Sequence, residues 1–414
     1  MSRLQPVRGT RDLLPDDCRR HRQVSEAARA IAERYGYGEI ATPIFEFTEV
    51  FKRTLGETSD IVTKEMYTFA DRGGEMLTLR PENTAGVARA FISGELGQAL
   101  PLKFFYAGPM FRHERPQKGR LRQFHQIGVE LIGVPEPLGD IEVIALGAHI
   151  LDALGVLGRT TLELNTLGDT ESRQAYRAAL RDFLSTRRNQ LSPESQERLE
   201  RNPMRILDSK NEGDRKLVQD APRNTEYLNP ASAEFFKRVR EGLDAIGVRY
   251  EVNPFLVRGL DYYCHSAFEF TTTELGAQSA VLAGGRYDGL IETMGGPATP
   301  GVGWAAGIER LAMLTGNPEP PPRPIALVPI GPAGDAAALI LAAELRRAGF
   351  NVDLGYRGNL SKRMKRANHA NARAAVMIGD DELAKGVVTL RDLDSGAQET
   401  IERDRLAARL DAFR

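Results

Sequence analysis

Glu130 interrupts an apolar run, IGVELIG, and Arg258 interrupts another, FLVRGL. A charge in such surroundings is costly unless something meets it, so each residue asks for an opposite charge, a hydrogen-bonding group or a ligand. Just upstream of Glu130, the stretch FRHERPQKGRLRQFHQIGVE (residues 111–130) sets five Arg/Lys and two His into a loop between two strand patterns. Counting by twos along the second strand, Arg122, Phe124, Gln126, Gly128 and Glu130 share one face, while His125, Ile127, Val129 and Leu131 share the other. The second is a core face, so the first presents an amide and a carboxylate above the sheet. Arg112 and Arg115 can neutralise Glu130 or grip an anion in a planar fork.

Three further segments carry candidates. LVRGLDYY reads as a strand in which Arg258 and Tyr262 share a face and Tyr263 lies opposite, and a structural ion pair explains Arg258 as well as a ligand does. GIERLAML puts Arg310 in the first turn of a helix, where a cation opposes the macrodipole unless a polyanion is near. RPENTAG offers Glu82 and Thr84 at a helix start, where capping is the plain reading. Together these residues suit a small zwitterion plus a nucleotide polyphosphate.

The elements that must position them are legible in outline. Residues 16–36 have helical spacing and stop at Gly36. Residues 61–80 read as short strands joined by a DRGG turn, and PLKFFYAGPMFRHE with RQFHQIGVELIG reads as two long antiparallel strands. This implies an α+β unit over residues 1–316, with an antiparallel sheet flanked by helices and a helical insertion at about 170–250. NPEPPPRP (317–324) is a proline-rich linker. Beyond it, strand and helix patterns alternate over 325–414, the mark of an α/β layer with a largely parallel sheet.

Composition excludes several classes. With 42% hydrophobic and 27% charged residues in 414, the chain is neither disordered nor membrane-spanning, and the polar N-terminus does not read as a signal peptide. A cytoplasmic location is expected. Cys18 and Cys264 are far apart, and the six histidines lack HExxH spacing, so no metal site is expected. There is no GxxxxGK[ST], and GVGWAAG lacks the GxGxxG spacing. A net charge of −1 leaves nucleic-acid binding to local patches. One such patch is 354–379, which includes Arg363 and Arg366 and no acid; alone it reads as a solvated helix face.

The segments quoted above, with AGGRYDGL, GVGWAAGIERL and GNLSKRMKRANHANARAAVMIGDDE in this order, closely resemble the histidyl-tRNA synthetase family, from PVRGTRDLLP at residue 6 to the end. The resemblance implies a class II catalytic domain, a C-terminal anticodon-binding domain, and a homodimer formed through ATPIFEFTEVFKRTLGE around Pro43. It implies that L-histidine is joined to histidine tRNA through an adenylate, with ATP as substrate and Mg²⁺ bound with it. Carried over, Glu82, Thr84 and Gln126 hold the α-amino group, and Glu130 with Tyr263 matches the imidazole; Tyr262 joins the same pocket. Arg258 contacts the carboxylate and α-phosphate, Arg112 the α-phosphate, and Arg310 with Arg120 the γ-phosphate, Arg258 and Arg112 being the catalytic pair. Gln117 and Arg122 meet the tRNA acceptor end, and Arg363 and Arg366 its anticodon side. A non-catalytic regulatory subunit of ATP phosphoribosyltransferase is the rival reading. CHSAFEF, Ser279 and Trp304 depart from the commonest family pattern.

Overall fold

In the computed structural model of the chain, residues 3–56, 61–117, 119–258, 262–276 and 280–413 are described. Gly259, Leu260 and Asp261 of LVRGLDYY, Lys118 of the basic loop and Ser279 lie outside them. Contacts divide the chain into two compact units, Met1–Pro318 and Glu319–Arg414.

Among the described residues the first unit has eleven strands: β1 (Gly38–Glu39), β2 (Phe45–Phe47), β3 (Tyr67–Ala70), β4 (Met76–Leu79), β5 (Leu102–Phe111), β6 (Gln123–Ile132), β7 (Thr161–Thr166), β8 (Glu251–Val252), β9 (Cys264–Thr271), β10 (Ala280–Arg286) and β11 (Gly301–Gly307). Eight form one sheet in the order β1-β5-β6-β11-β10-β9-β7-β8. Its six central strands are antiparallel, and only the two-residue edge strands pair in parallel. β5 and β6 pair from Leu102↔Ile132 to Phe111↔Gln123, so the basic loop is the connection of a long hairpin. β2, β4 and β3 make a separate small sheet, whose DRGG turn is closed by Asp71 Oδ1 accepting from the amides of Gly73 and Glu75 at 2.8 and 2.9 Å.

Alternation along β6 divides the interior in two. Ile127, Val129 and Leu131 join Val24, Ala28 and Ala32 of helix Pro15–Arg34 and Val143, Ile144 and Leu146 of helix Pro137–Ala153 in one core. Across the sheet, Tyr106 and Met110 of β5 pack with Val87 and Phe91 of helix Thr84–Ser93, and this second core runs on into Tyr176, Leu180 and Leu184. Those last residues belong to the helices that fill 170–245, namely Thr170–Ser185, Pro193–Arg201, Glu212–Val218 and Pro230–Ala245. Each begins on a polar cap, Asp169, Ser192, Asn211 or Asn229, accepting a backbone N–H. Buried Asp214 ties three segments of the insertion together by accepting from the hydroxyls of Ser192, Ser195 and Ser209 at 2.6–2.8 Å.

Two sequence expectations are corrected. LVRGLDYY is not a continuous strand: residues 253–258 form a turn and irregular backbone, because Asn253 Oδ1 accepts from the amide of Phe255 at 3.0 Å and Pro254 has no N–H to give a ladder. The second unit is mixed rather than largely parallel. β12 (Ile325–Pro329), β13 (Val352–Leu354), β14 (Ala374–Ile378), β15 (Val387–Asp392) and β16 (Gln398–Glu402) lie in the order β13-β12-β14-β15-β16. The first three are parallel, and β15 and β16 are antiparallel. Between β14 and β15 the chain has only residues 379–386, with Gly386 left-handed at the helix end. A parallel crossover needs about a dozen residues or more, so the strand must turn back.

Arg286, at the end of β10, is fully buried against equally buried Asp140, its Nε 3.0 Å from Oδ2, and it also donates to the carbonyl of Val134 at 2.9 Å. Asp140→Ala would leave that buried guanidinium with Asp288, 3.0 Å from Nη1, as its one remaining carboxylate partner among the described residues, at a cost of up to about 3–5 kcal/mol. The joint change Asp140→Leu with Arg286→Met is expected to recover most of the loss. Denaturant unfolding decides it: a double variant no better than the single one would show that the pair is not the source.

Candidate active site

One cleft above β6 gathers Glu82, Thr84, Arg112, Arg120, Gln126, Arg258, Tyr262, Tyr263 and Arg310, together with Glu114, Glu269 and Glu309. Glu82, Thr84, the basic hairpin, the segment before β9 and the helix after β11 therefore converge although the chain separates them widely.

Glu130 has no exposed surface and sits beneath this cleft. Thr84 Oγ1 donates to its Oε1 at 2.7 Å and the Tyr287 hydroxyl to its Oε2 at 2.5 Å. Burial pushes its carboxyl up to about 8, against the opposing effect of those hydrogen bonds and with a further push from Glu82. The group that looks solitary in the sequence is thus held by hydroxyls, and among the described residues no arginine pairs with it. Space for it exists because Gly303 stands opposite on β11; a Cβ there would fall 2.0 Å from Glu130 Oε2.

Glu82 caps helix Thr84–Ser93, accepting from the amides of Thr84 at 2.7 Å and Ala85 at 3.0 Å. Burial raises its carboxyl from the usual range. The capping expectation and the lining of the cleft are both met by one side chain. Next to it, Gln126 keeps its Oε1 buried with no hydrogen-bond partner among the described residues. An unmet acceptor beside a carboxylate suits an ammonium group.

The arginines are anchored rather than loose. Arg112 donates from Nε to the carbonyl of Pro81 at 2.9 Å and lies over the Phe124 ring at 5.3 Å. Arg258 pairs with Glu269, stacks 5.4 Å from the Tyr263 ring centroid, and keeps a buried Nε without a partner among the described residues. Arg120 pairs with Glu114. Arg310 donates to the carbonyls of Gly119 at 3.2 Å and Ala280 at 2.7 Å. Burial, then repulsion from Arg120 and Arg112, lowers the Arg310 guanidinium from its ordinary value. Cations crowded in this way favour a polyanion.

Not every expected residue reaches the cleft. Gln117 is exposed at the hairpin tip, bridged to Arg120 at 2.9–3.0 Å. Arg122 is half-buried, donating to the carbonyl of Glu114 at 3.2 Å and packing on Gly9. Arg363 is no surface cation: it is 7% exposed, pairs with Asp335 at 2.9 Å and donates to the Pro329 carbonyl. Helical periodicity turns it inward with Ala367, leaving Lys362, Lys365 and Arg366 outside. Arg366 is itself held by Asp353 at 2.9 and 3.1 Å.

Sequence reasoning missed Glu114, Glu269 and Tyr287. Glu269 lies between Phe268 and Phe270, the same signal of a charge in an apolar strand that singled out Glu130. Trp304, unusual in this position, is seated by its Nε1 donating to the Val143 carbonyl at 2.9 Å.

The family described as histidyl-tRNA synthetase matches residues 9–311, and that described as anticodon binding domain matches residues 325–412. Histidine–tRNA ligase from Rhodospirillum rubrum is 66% identical over 97% of each chain. That of Gluconacetobacter diazotrophicus is 58% identical over 98% of this chain and 97% of its own. The apo histidyl-tRNA synthetase of S. aureus superposes with a TM-score of 0.82 at 36% identity, covering 99% of this chain and 100% of its own.

The raised Glu130 carboxyl has a consequence for stability. An unfolded glutamate titrates near about 4.3; between there and about 8 the folded chain holds a proton that the unfolded chain has lost. Stability from this group is therefore complete below the lower value and lost as pH rises through the upper one, by up to about 1.4 kcal/mol per pH unit. Glu130→Gln removes the titration. Thermal melts across this range are expected to show the wild type losing ground to the variant as pH rises, and parallel curves would refute it.

Proposed function

The chain belongs to the histidyl-tRNA synthetase family, and from that premise we propose how its cleft joins L-histidine to histidine tRNA at the expense of ATP. Glu82, Thr84 and Gln126 receive the α-ammonium group; the unmet Gln126 Oε1 supports this reading. Tyr263 meets one imidazole nitrogen, and Glu130 meets the other once the Tyr287 hydroxyl releases an oxygen. Tyr262, its ring tilted against that of Tyr263 with centroids 4.5 Å apart, closes the wall of the pocket.

The amino-acid carboxylate is already a nucleophile, so its attack on the α-phosphorus needs no protein base. Arg258 aligns carboxylate and α-phosphate, Arg112 neutralises charge on the α-phosphate, and Arg310 with Arg120 draws pyrophosphate away. Glu114 and Glu269 offer the carboxylate oxygens that Mg²⁺ accompanying the nucleotide requires, and that ion would offset phosphate charge. A terminal ribose hydroxyl of the tRNA then attacks the adenylate carbonyl, with Gln117 and Arg122 near the acceptor end. Lys362, Lys365 and Arg366 are the exposed cations for the anticodon side.

The observation that carries this reading is the meeting of Arg112, Arg258 and Arg310, from three distant segments, in one cleft. The regulatory-subunit alternative is not favoured, since all three are retained. A homodimer through residues 41–57 is supported by the exposure of Phe45 and Phe47, at 49% and 56%, on the small sheet. A cytoplasmic location follows from use of the product in translation.

Pyrophosphate exchange into ATP, assayed across the twenty amino acids, is expected to depend on histidine alone. Arg258→Ala should reduce it by at least about 100-fold with the circular dichroism spectrum unchanged. A folded wild type that exchanges nothing would end the enzyme reading. Separately, reversing charge at Lys362 and Lys365 should weaken tRNA binding, most visibly at low salt, and leave exchange intact. Arg363→Glu should instead unfold the second unit.

A further inference from the structure

His125, on the face of β6 away from Gln126, meets two groups from other elements, one of which, Glu309, also lines the cleft. His21 comes from helix Pro15–Arg34, and Glu309 from helix Ile308–Leu314. One ligand atom from each lies within 4.8 Å of the others. His125 Nδ1 is 2.9 Å from Glu309 Oε1, and the His125 amide donates to both carboxylate oxygens at 3.0 Å. The His21 ring stands edge-on to that of His125, centroids 5.2 Å apart. His21 is 9% exposed, and its Nε2 is buried with no hydrogen-bond partner among the described residues.

A buried imidazole nitrogen without a partner is an expensive feature in a core. A second imidazole and a carboxylate beside it make the donor set that borderline divalent transition metals take, with the carboxylate already oriented by a backbone amide. Bonds of about 2.0–2.2 Å at tetrahedral angles set ligand atoms roughly 3.3–3.6 Å apart, so the three side chains must draw together around an ion.

We propose that His21, His125 and Glu309 form a binding site for a divalent transition metal such as Zn²⁺. The ion ties the N-terminal helix to β6 and to the helix that carries Arg310, the residue next to Glu309. Its role is structural, because it joins three elements through His21 and His125, which do not line the cleft, while Glu309 lines it as well. Sequence spacing gave no warning, since the three ligands are separated by more than a hundred residues at each step.

The test uses the full chain freed of metal by a chelator. Titration with Zn²⁺ alone is expected to give one tight equivalent per chain, and Co²⁺ in its place should give the visible absorption of a four-coordinate nitrogen and oxygen site. His21→Gln should weaken Zn²⁺ binding at least tenfold and abolish that absorption, while His149→Gln leaves both unchanged. Anomalous scattering at the zinc edge from a wild-type crystal soaked in Zn²⁺ gives an answer that needs no variant: a peak between the three side chains is expected. Absence of a tight equivalent in the wild type, equal binding by His21→Gln, or a peak elsewhere only would overturn the proposal.

Discussion

The burial of one carboxyl group governs how the cleft is assembled. Glu130 occupies the middle of the central strand pair with no exposed surface, and this is sterically allowed only because β11 presents Gly303 opposite it. Its two oxygens are met by hydroxyls from the helix after Pro81 and from the turn after β10. Desolvating those hydroxyls without the carboxyl would cost as much as leaving the carboxyl unmet. The three segments therefore fix each other's register. Glu82 follows, since the helix whose first hydroxyl serves Glu130 also supplies the amides that hold Glu82.

The charges of the cleft obey a different economy from the one their sequence surroundings suggest. Read singly, Arg258 in FLVRGL and Glu130 in IGVELIG look unmatched. In the fold Arg258 has Glu269 and Arg120 has Glu114. Pairing keeps the ligand-free protein from bearing several dry cations, each worth several kcal/mol. Arg258 Nε and Gln126 Oε1 are among the groups left without a hydrogen-bond partner among the described residues. Specificity then resides in a few single atoms on a neutralised background, which suits a substrate bearing an ammonium group and a carboxylate on one carbon.

Much of this was legible from residues alone where one period dominates. Alternation along β6 assigned both of its faces, and the proline run marked a change of architecture. Residues whose meaning depends on a partner distant in sequence were opaque. Nothing in FEF says that Glu269 faces Arg258, and nothing in GGRYDG says that Tyr287 reaches Glu130. The basic run at 354–379 misled for a related reason. Charge counted along the chain ignores the helical repeat, so Arg363 was grouped with its exposed neighbours although it faces Asp335 and the end of β12. LVRGLDYY misled because its composition favours a strand while Asn253 and Pro254, just before it, enforce a turn.

Adjacent residues on β6 serve opposite sides of the sheet, and this makes the two faces mechanically dependent. Gln126 looks into the cleft, while His125, one residue earlier, looks down toward His21 and Glu309. Glu309 in turn precedes Arg310, whose guanidinium returns to the upper face to meet the carbonyls of Gly119 and Ala280. The consecutive residues His125 and Gln126 are therefore split between the faces, and Glu309 links them by lining the cleft while holding His125. Interiors packed at crystal-like density transmit small displacements instead of absorbing them. Whatever fixes Glu309 against His125 also fixes the helix start from which Arg310 extends, so the spacing between Gln126 and Arg310 depends in part on His125, on the other face of β6.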